Sequence, residues 1–107
     1  MRMWGISPKL MCRAHLLGEH VEMHMFSGSI KKKISICGYL QKNLVNPYLI
    51  EKRHDALAKE MKRRGYAHKS PLHLSLPKNF PKGKINIHKN LAELSKRCTN
   101  CKILQKL

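Results

Sequence analysis

Three side chains capable of acid–base chemistry recur at helical spacing near the start of the chain. His15, Glu19 and Glu22 are separated by four and then three residues, so on a helix they lie along one face. The chain has 6 acidic residues against 22 Lys and Arg, and two carboxylates on one face of so basic a molecule require an explanation. Either they are surface charges that offset the cationic background, or Glu22 is a catalytic carboxylate inside a nucleic-acid site.

The charge balance favours a polyanionic partner. The formal net charge is +16 and the pI is about 10.2, and such an excess opposes compaction unless a polyanion neutralises it. Nucleic acid is the usual polyanion for a domain with a pI above about nine. An anionic membrane surface is the alternative, but no long Lys-rich amphipathic helix with a Trp, Phe and Leu face is evident.

The length and the apolar content bound the architecture. A chain of 107 residues predicts a single domain that spans residues 1–107. No apolar run approaches the length of a membrane span, and the N-terminus lacks the pattern of a secretory signal. We therefore expect an intracellular protein, not a secreted one, with reduced Cys and no membrane partner. We also expect a monomer.

Capping residues predict three main helices and an all-α domain. The first, at about 8–26, begins at Ser7-Pro8 and ends at Ser27-Gly28-Ser29. The second, at 47–64, begins at Asn46-Pro47 and ends at Gly65, which accepts a left-handed cap. The third, at about 87–98, is capped by Asn86.

The remaining segments are predicted to be less regular. Residues 30–45 form a loop with a short helix around Tyr39 to Leu44, and 66–84 is an irregular segment with three Pro. Residues 102–107 are expected to fray. In the first helix, Ala14, Leu17, Val21 and Met25 recur at steps of three and four, which predicts one apolar face.

The run from His15 to Glu22, His-Leu-Leu-Gly-Glu-His-Val-Glu, resembles a known family. With Met1-Arg2-Met3-Trp4 before it and Arg63-Arg64-Gly65-Tyr66 after it, it is similar to the pyrimidine-dimer DNA glycosylase and abasic-site lyase family of the phage endonuclease V type. The resemblance covers roughly residues 1–26 and 46–71. It implies a DNA repair enzyme that needs no cofactor and acts on damaged double-stranded DNA, such as DNA that carries pyrimidine dimers.

The resemblance also implies residue roles. The α-amine of Met1 would attack C1′ of the damaged nucleotide and form a Schiff base, and Glu22 would stabilise the cationic sugar and assist proton transfers. Free α-amines have a pKa of about 7.7–8.0 against about 10.4 for Lys, so far more of them are neutral at pH 7. Arg2 would contact phosphate, His15 would lie beside the site, and the role of Glu19 is left open.

Three features depart from the family pattern. Family members of the phage type expose a Thr after Met removal, whereas the bulk of Arg2 should keep Met1 in place. Val21 stands where the phage type has an Arg beside the catalytic Glu. At the C-terminus, Cys98-x-x-Cys101 replaces the aromatic tail of the phage type. The lesion that is recognised therefore stays open.

Further residues are candidates for contact with DNA. Trp4 is either a wedge or stacking platform in distorted DNA or a core anchor for the N-terminal segment, and Tyr66 has the same two interpretations. Basic residues around the end of the second helix are candidate phosphate contacts, or alternatively a solvated charged face. They are Lys62, Arg63, Arg64 and Lys69.

The Cys residues provide half of a metal site. Cys98 and Cys101 have zinc spacing, and Cys12, Cys37 or His88 could complete the set, but packing or a redox role are alternatives. His20 and His24 are one helical turn apart and can bind metal. The sequence shows no third ligand for them, which favours surface histidines.

These observations leave a second function open. The chain could be a small basic nucleic-acid-binding protein without catalysis, with zinc at Cys98 and Cys101. Glu22 separates the two functions, because a carboxylate that faces phosphates gives a binding module no advantage.

Overall fold

A computed structural model describes residues 1–106 as an assembly of five α-helices. Their bounds are α1 Arg13–Lys31, α2 Cys37–Gln41, α3 Ile50–Arg63, α4 Ile87–Arg97 and α5 Thr99–Gln105. Single 3-10 turns lie at Pro8–Leu10 and Pro47–Leu49. Across residues 1–106 there is no β-strand, and an isolated antiparallel bridge joins Leu44 to Ile85. The predicted all-α class is confirmed. No helix within this range is long and apolar enough to cross a membrane.

The first helix begins later and ends later than 8–26. Pro8–Leu10 closes a separate 3-10 turn, and Met11 is then extended at φ −105° and ψ 136°. Cys12 therefore occupies the N-cap of α1, and Ser7 makes no side-chain capping bond. At the other end, α1 continues through Gly28 because Phe26 and Ile30 are buried. Their packing outweighs the roughly 1 kcal/mol that a glycine costs in a helix.

The buried face of α1 is not the one that its apolar spacing predicted. Val21 is 54% exposed and Met25 is 50% exposed, so the prediction of a buried stripe through them is wrong. The buried face instead carries apolar and polar residues together: Leu16, Glu19, His20, Met23, Phe26, Ser27 and Ile30. Two ionisable side chains therefore enter the interface with α3, against which α1 packs.

Local capping signals located the other helices closely. Asn46 accepts a hydrogen bond from the Tyr48 amide and opens the 3-10 turn before α3. Gly65 has φ +85°, the left-handed conformation that ends α3 as predicted. Asn86 accepts a hydrogen bond from the Lys89 amide and caps α4.

The C-terminal segment is more ordered than expected. Fraying was predicted from residue 102, whereas Thr99–Gln105 forms α5; Leu107 lies outside the described residues. The side chain of Cys98 accepts a hydrogen bond from the Cys101 amide at the start of α5. The helix packs against α4 and the Pro8–Leu10 turn, with Cys101 fully buried. The C-terminal helix pair is thus held close to the entry of α1.

Candidate active site and its surroundings

The N-terminal segment, residues 1–6, has no regular structure and is fixed by hydrogen bonds. The Met3 amide donates to the Leu44 carbonyl at 2.6 Å, and the Trp4 amide donates to Glu19 Oε2 at 3.2 Å. Asn90 of α4 donates from Nδ2 to the carbonyl of Trp4 at 2.9 Å. The segment is therefore held between α1 and α4.

A buried ion pair forms the base of this arrangement. Arg53 of α3 donates from Nε to Glu19 Oε2 at 2.6 Å and from Nη2 to Glu19 Oε1 at 2.8 Å. Its Nη1 donates to the Ile6 carbonyl at 2.7 Å. Burial raises the pKa of Glu19, while the hydrogen bonds and the charge of Arg53 oppose that rise. The pair links α1, α3 and the N-terminal segment.

The predicted catalytic pair lies next to this network. Glu22 is one turn beyond Glu19 on α1, and both Glu22 and Met1 are half-buried. Since an extended chain spans at most about 3.6 Å per residue, the Met1 amine lies within roughly 11 Å of the Trp4 amide. Within residues 1–106, no ion pair joins Met1 to Glu22. Their roles stay predictions.

A basic cleft of about 710 Å³ opens beside the N-terminal segment. Its charged lining includes Arg2, Lys42, Lys89 and Glu93, so positive charge predominates. Its polar and apolar lining consists of Gln41, Asn43, Leu44, Asn86 and Asn90. Neither Met1 nor Glu22 belongs to this lining. The cleft can take a polyanion along the side of the segment where Arg2 lies.

Trp4 is packed in the protein interior. Its side chain is 4% exposed and belongs to the hydrophobic core. The guanidinium of Arg2 lies 4.5 Å from the Trp4 ring centroid, and that of Arg97 lies 5.5 Å from it. Of the two interpretations that the sequence left open, this burial favours the core anchor. Arg2 also donates to Asn90 Oδ1 at 3.3 Å, so it bridges the anchor and the cleft.

The basic residues at the end of α3 are of two kinds. Arg63 and Arg64 both pair with Glu60, at 2.6 Å and 2.7 Å. These hydrogen bonds and charges lower the pKa of Glu60 to about 2, and Glu60 in turn raises the pKa of Arg63. Lys62 and Lys69 are exposed and remain the better candidates for phosphate contact.

Arg64 has a structural role in addition to its charge. It donates from Nη2 to the carbonyls of Pro8 and Met11, at 3.1 Å and 2.7 Å. It therefore fastens the 3-10 turn before α1 to the end of α3. Tyr66, whose ring has Arg13 over it with Cζ 5.1 Å from the centroid, is half-buried.

Comparison with known proteins assigns a family. A family model described as pyrimidine dimer DNA glycosylase matches residues 1–74. The chain belongs to the pyrimidine dimer DNA glycosylase family. Membership indicates a DNA repair glycosylase whose substrate is DNA. No curated protein and no solved structure matches the chain. The matched region contains the N-terminal segment, α1, α2 and α3, and it leaves α4 and α5 outside.

Within the matched region of this glycosylase-family chain, three imidazoles converge. His20 and His24 were predicted as surface residues without a third ligand, and this is wrong for His20, which is buried beside His54 and His68. Burial and the neighbouring imidazoles lower the pKa of His20 to about 4 and also lower the pKa of His24. The contact between His20 and His54 has no local sequence pattern, because the two residues are 34 positions apart.

A second convergence joins the matched region to the C-terminal helices. Cys12, His15, Cys98 and Cys101 bring their ligand atoms within 4.8 Å of one another. Cys37 and His88, the other candidates for completing the Cys pair, are exposed and lie outside this cluster. Burial raises the pKa of the Cys101 thiol to about 12, and the backbone amide of Cys101 lowers the pKa of Cys98. His15 Nδ1 faces these sulfurs.

Proposed function

We propose that the chain is a DNA glycosylase with abasic-site lyase activity that acts on damaged double-stranded DNA, including DNA with pyrimidine dimers. The α-amine of Met1 is the nucleophile and Glu22 is the assisting carboxylate. The proposal is supported by membership of the pyrimidine dimer DNA glycosylase family. It is also supported by the way in which α1 holds the N-terminal segment.

The hydrogen bond from the Trp4 amide to Glu19 carries the proposal. It attaches the N-terminal segment to α1 one turn before Glu22, which supports an arrangement in which the amine and the carboxylate act together. Arg53 fixes the Glu19 carboxylate through both of its oxygens. A free chain end is normally mobile, and a nucleophile needs a defined position to react efficiently.

The proposed reaction proceeds through a covalent intermediate. The neutral amine forms a bond to C1′ as the glycosidic C1′–N bond breaks and the base leaves. The nitrogen then gives up a proton, O4′ takes one up, and the C1′–O4′ bond breaks, which opens the sugar ring and leaves a Schiff base. Removal of a C2′ proton then breaks the C3′–O bond, and the phosphate leaves with its electron pair. Water hydrolyses the imine and restores the amine. Glu22 stabilises the cationic sugar and relays protons.

The basic cleft is proposed to hold the DNA backbone. Arg2, Lys42 and Lys89 line it beside the N-terminal segment, and phosphate contacts of this type position a protein on DNA without selecting sequence. Because C1′ is shielded inside a duplex, the DNA must be opened or kinked for the amine to reach it. Arg2 lies between the cleft and the core anchor Trp4, which suits it to contact phosphate.

Borohydride trapping on a duplex with one abasic site tests the proposal. We expect a covalent complex whose cross-linked peptide, by mass spectrometry, carries the sugar on the Met1 amine. Glu22→Gln should lose strand cleavage and retain DNA binding. Glu51→Gln is the matched control, because it removes one negative charge at a half-buried position outside the basic cleft and should cleave normally.

The other outcomes are equally informative. A cross-link at a lysine would retain the lyase and reject the Met1 nucleophile. Loss of cleavage in Glu51→Gln and not in Glu22→Gln would mean that the catalytic carboxylate is misassigned. Tight binding without any cross-link would favour the alternative, a non-catalytic basic nucleic-acid-binding protein.

A further inference from the structure

The four side chains of Cys12, His15, Cys98 and Cys101, here called the thiol cluster, have the spacing of a tetrahedral metal site. Cys12 Sγ lies 3.8 Å from Cys98 Sγ. His15 Nδ1 lies 3.3 Å from Cys12 Sγ and 3.6 Å from Cys101 Sγ. Bond lengths of about 2.3 Å for Zn–S and about 2.0–2.1 Å for Zn–N place tetrahedral sulfurs roughly 3.8 Å apart, and sulfur and nitrogen roughly 3.5 Å apart.

The starts of two helices, α1 and α5, bring these four ligand atoms together. Cys12 is the N-cap of α1 and His15 lies in its first turn, while Cys98 is the N-cap of α5 and Cys101 lies in its first turn. The Cys12 amide donates to Cys101 Sγ at 3.2 Å, and the Cys101 amide donates to Cys98 Sγ at 3.5 Å. Such amide bonds favour the thiolate form, which is the form that binds metal.

The chemistry of the donors selects the ion. Three thiolates and one imidazole are soft and borderline ligands, which suit zinc. Magnesium and calcium prefer oxygen ligands and would bind poorly here. One Zn²⁺ contributes +2 and three thiolates contribute −3, so the loaded cluster has a net charge of −1. A negative centre is favourable in a chain with a formal charge of +16.

We propose that the protein binds one structural zinc ion through Cys12, His15, Cys98 and Cys101. The ion joins the C-terminal helix pair, α4 and α5, to the N-terminal end of α1. Two neighbours connect the thiol cluster to the N-terminal segment. The Trp4 ring lies 6.2 Å from the His15 ring, and Arg97, adjacent to Cys98, approaches Trp4. The proposal does not depend on the lyase mechanism.

Cobalt substitution of untagged protein tests the thiol cluster. Tetrahedral Co²⁺ bound to thiolates has a near-ultraviolet charge-transfer band, which we expect in the parent protein. Cys98→Ser and Cys101→Ser should lose much of the band, whereas Cys37→Ser, which changes an exposed Cys outside the cluster, should keep it. Elemental analysis should show that the Cys98→Ser protein has lost one tightly held zinc ion.

A further variant keeps the test decisive if a serine substitution prevents folding. His15→Cys should still bind Co²⁺ and give a stronger charge-transfer band, because a fourth thiolate replaces an imidazole. A parent protein without the band, or a disulfide among these Cys in the freshly reduced protein, would overturn the proposal. Loss of the band in Cys37→Ser would do the same.

A separate observation supports a second metal site at His20, His54 and His68, here called the histidine cluster. The three Nε2 atoms lie 3.1 Å, 3.0 Å and 3.4 Å apart. With Zn–N bonds of about 2.0–2.1 Å, tetrahedral nitrogen ligands are roughly 3.3 Å apart. Three imidazole nitrogens therefore already surround the position of a shared cation.

The hydrogen bonding of His54 also favours a bound cation. Its Nδ1 lies 2.9 Å from the carboxylate of Asp55, so a neutral His54 donates from Nδ1 and has a lone pair on Nε2. His54 Nε2 lies 3.0 Å from the Ser70 carbonyl oxygen, which is also a hydrogen-bond acceptor. His24 Nε2, 3.1 Å from the same oxygen, can donate to it, whereas a bound cation would take the His54 lone pair. A carboxylate on the far nitrogen is the usual support for a ligating His.

We infer that the histidine cluster binds a divalent transition-metal ion such as Zn²⁺. Three protein ligands leave one coordination position free in a tetrahedral site. A depression of about 320 Å³ that His54, His68 and Lys62 help to line gives this side access to solvent. The free position therefore suits water or an anionic oxygen.

Zinc titration of the untagged Cys98→Ser/Cys101→Ser protein, which keeps only Cys12 and His15 of the thiol cluster, tests this second site in isolation. We expect one equivalent to bind, and Co²⁺ to bind without the thiolate band. His68→Gln, at a half-buried loop position, should abolish this binding without unfolding the chain. His73→Gln, an exposed His outside the cluster, is the control. Absence of binding, or binding that His68→Gln leaves unchanged, would overturn the inference.

Discussion

The guanidinium of Arg53 and the carboxylate of Glu19 form a two-pronged ion pair inside the protein, with N···O distances of 2.6 Å and 2.8 Å. Their side chains are 9% and 0% exposed. The pair also holds the Trp4 amide and the Ile6 carbonyl. Its significance is geometric, because it sets the N-terminal segment against α1 one turn from Glu22.

Glu19→Gln should destabilise the protein strongly. The substitution keeps the size of the side chain but leaves the Arg53 charge buried without a counter-ion, which costs about 3–5 kcal/mol in comparable buried pairs. Urea unfolding at pH 7 measures this loss. Glu93→Gln, which breaks the exposed pair with Arg97, should cost far less. Equal losses in the two variants would mean that water screens the Glu19–Arg53 pair.

The buried face of α1 shows what sequence patterns cannot capture. Apolar spacing selected Val21 and Met25, yet both are exposed. Glu19 and His20 are buried instead, because Arg53 and His54 on α3, each 34 residues away, provide their polar partners. Burial of a charge depends on such a partner, and a partner distant in sequence leaves no local pattern.

Features that depend on adjacent residues were predicted well. Asn46, Gly65 and Asn86 marked helix ends correctly, because caps act through hydrogen bonds to the next few amides or through a single backbone conformation. The thiol cluster is intermediate between these cases. The Cys98 and Cys101 pair was visible in the sequence, but Cys12 is 86 residues from Cys98, and the fold alone brings in Cys12 and His15.

Arg64 and Lys62 should respond differently to substitution. Arg64→Ala removes hydrogen bonds to the carbonyls of Pro8 and Met11, so we expect a loss of about 1–3 kcal/mol in the free energy of unfolding. Lys62→Gln, at an exposed position, should change stability by less than about 0.5 kcal/mol and weaken DNA binding. Urea unfolding and fluorescence anisotropy with a labelled duplex measure the two effects. If instead Arg64→Ala weakened DNA binding and Lys62→Gln lowered the free energy of unfolding, Arg64 would be the residue that faces the DNA.

Glu60 should make stability depend on pH at the acid end. Its pKa falls from 4.5 to about 2 because Arg63 and Arg64 bind the carboxylate. The stabilisation is therefore fully present above pH 4.5 and is lost as the pH falls towards 2. Glu60→Gln should be less stable than the parent protein at pH 6, and the difference should shrink between pH 4.5 and pH 3. Urea midpoints at several pH values provide the comparison, and a constant difference would contradict the assigned pKa.

The basic cleft should determine how DNA affinity depends on salt. Lys42 and Lys89 line the cleft, and each phosphate contact adds about 0.9 to the slope of log affinity against log salt. The double variant Lys42→Gln/Lys89→Gln should therefore reduce that slope by about 2 and weaken binding equally on damaged and undamaged duplexes. Lys9→Gln/Lys59→Gln is the matched control, because these two lysines are exposed and line a different depression. Anisotropy titrations at several salt concentrations measure both slopes. If the control lost as much slope as the cleft variant, the slope would depend on the total charge of the protein and not on the cleft, and the proposed phosphate contact of Arg2, which lines the cleft, would lose its support.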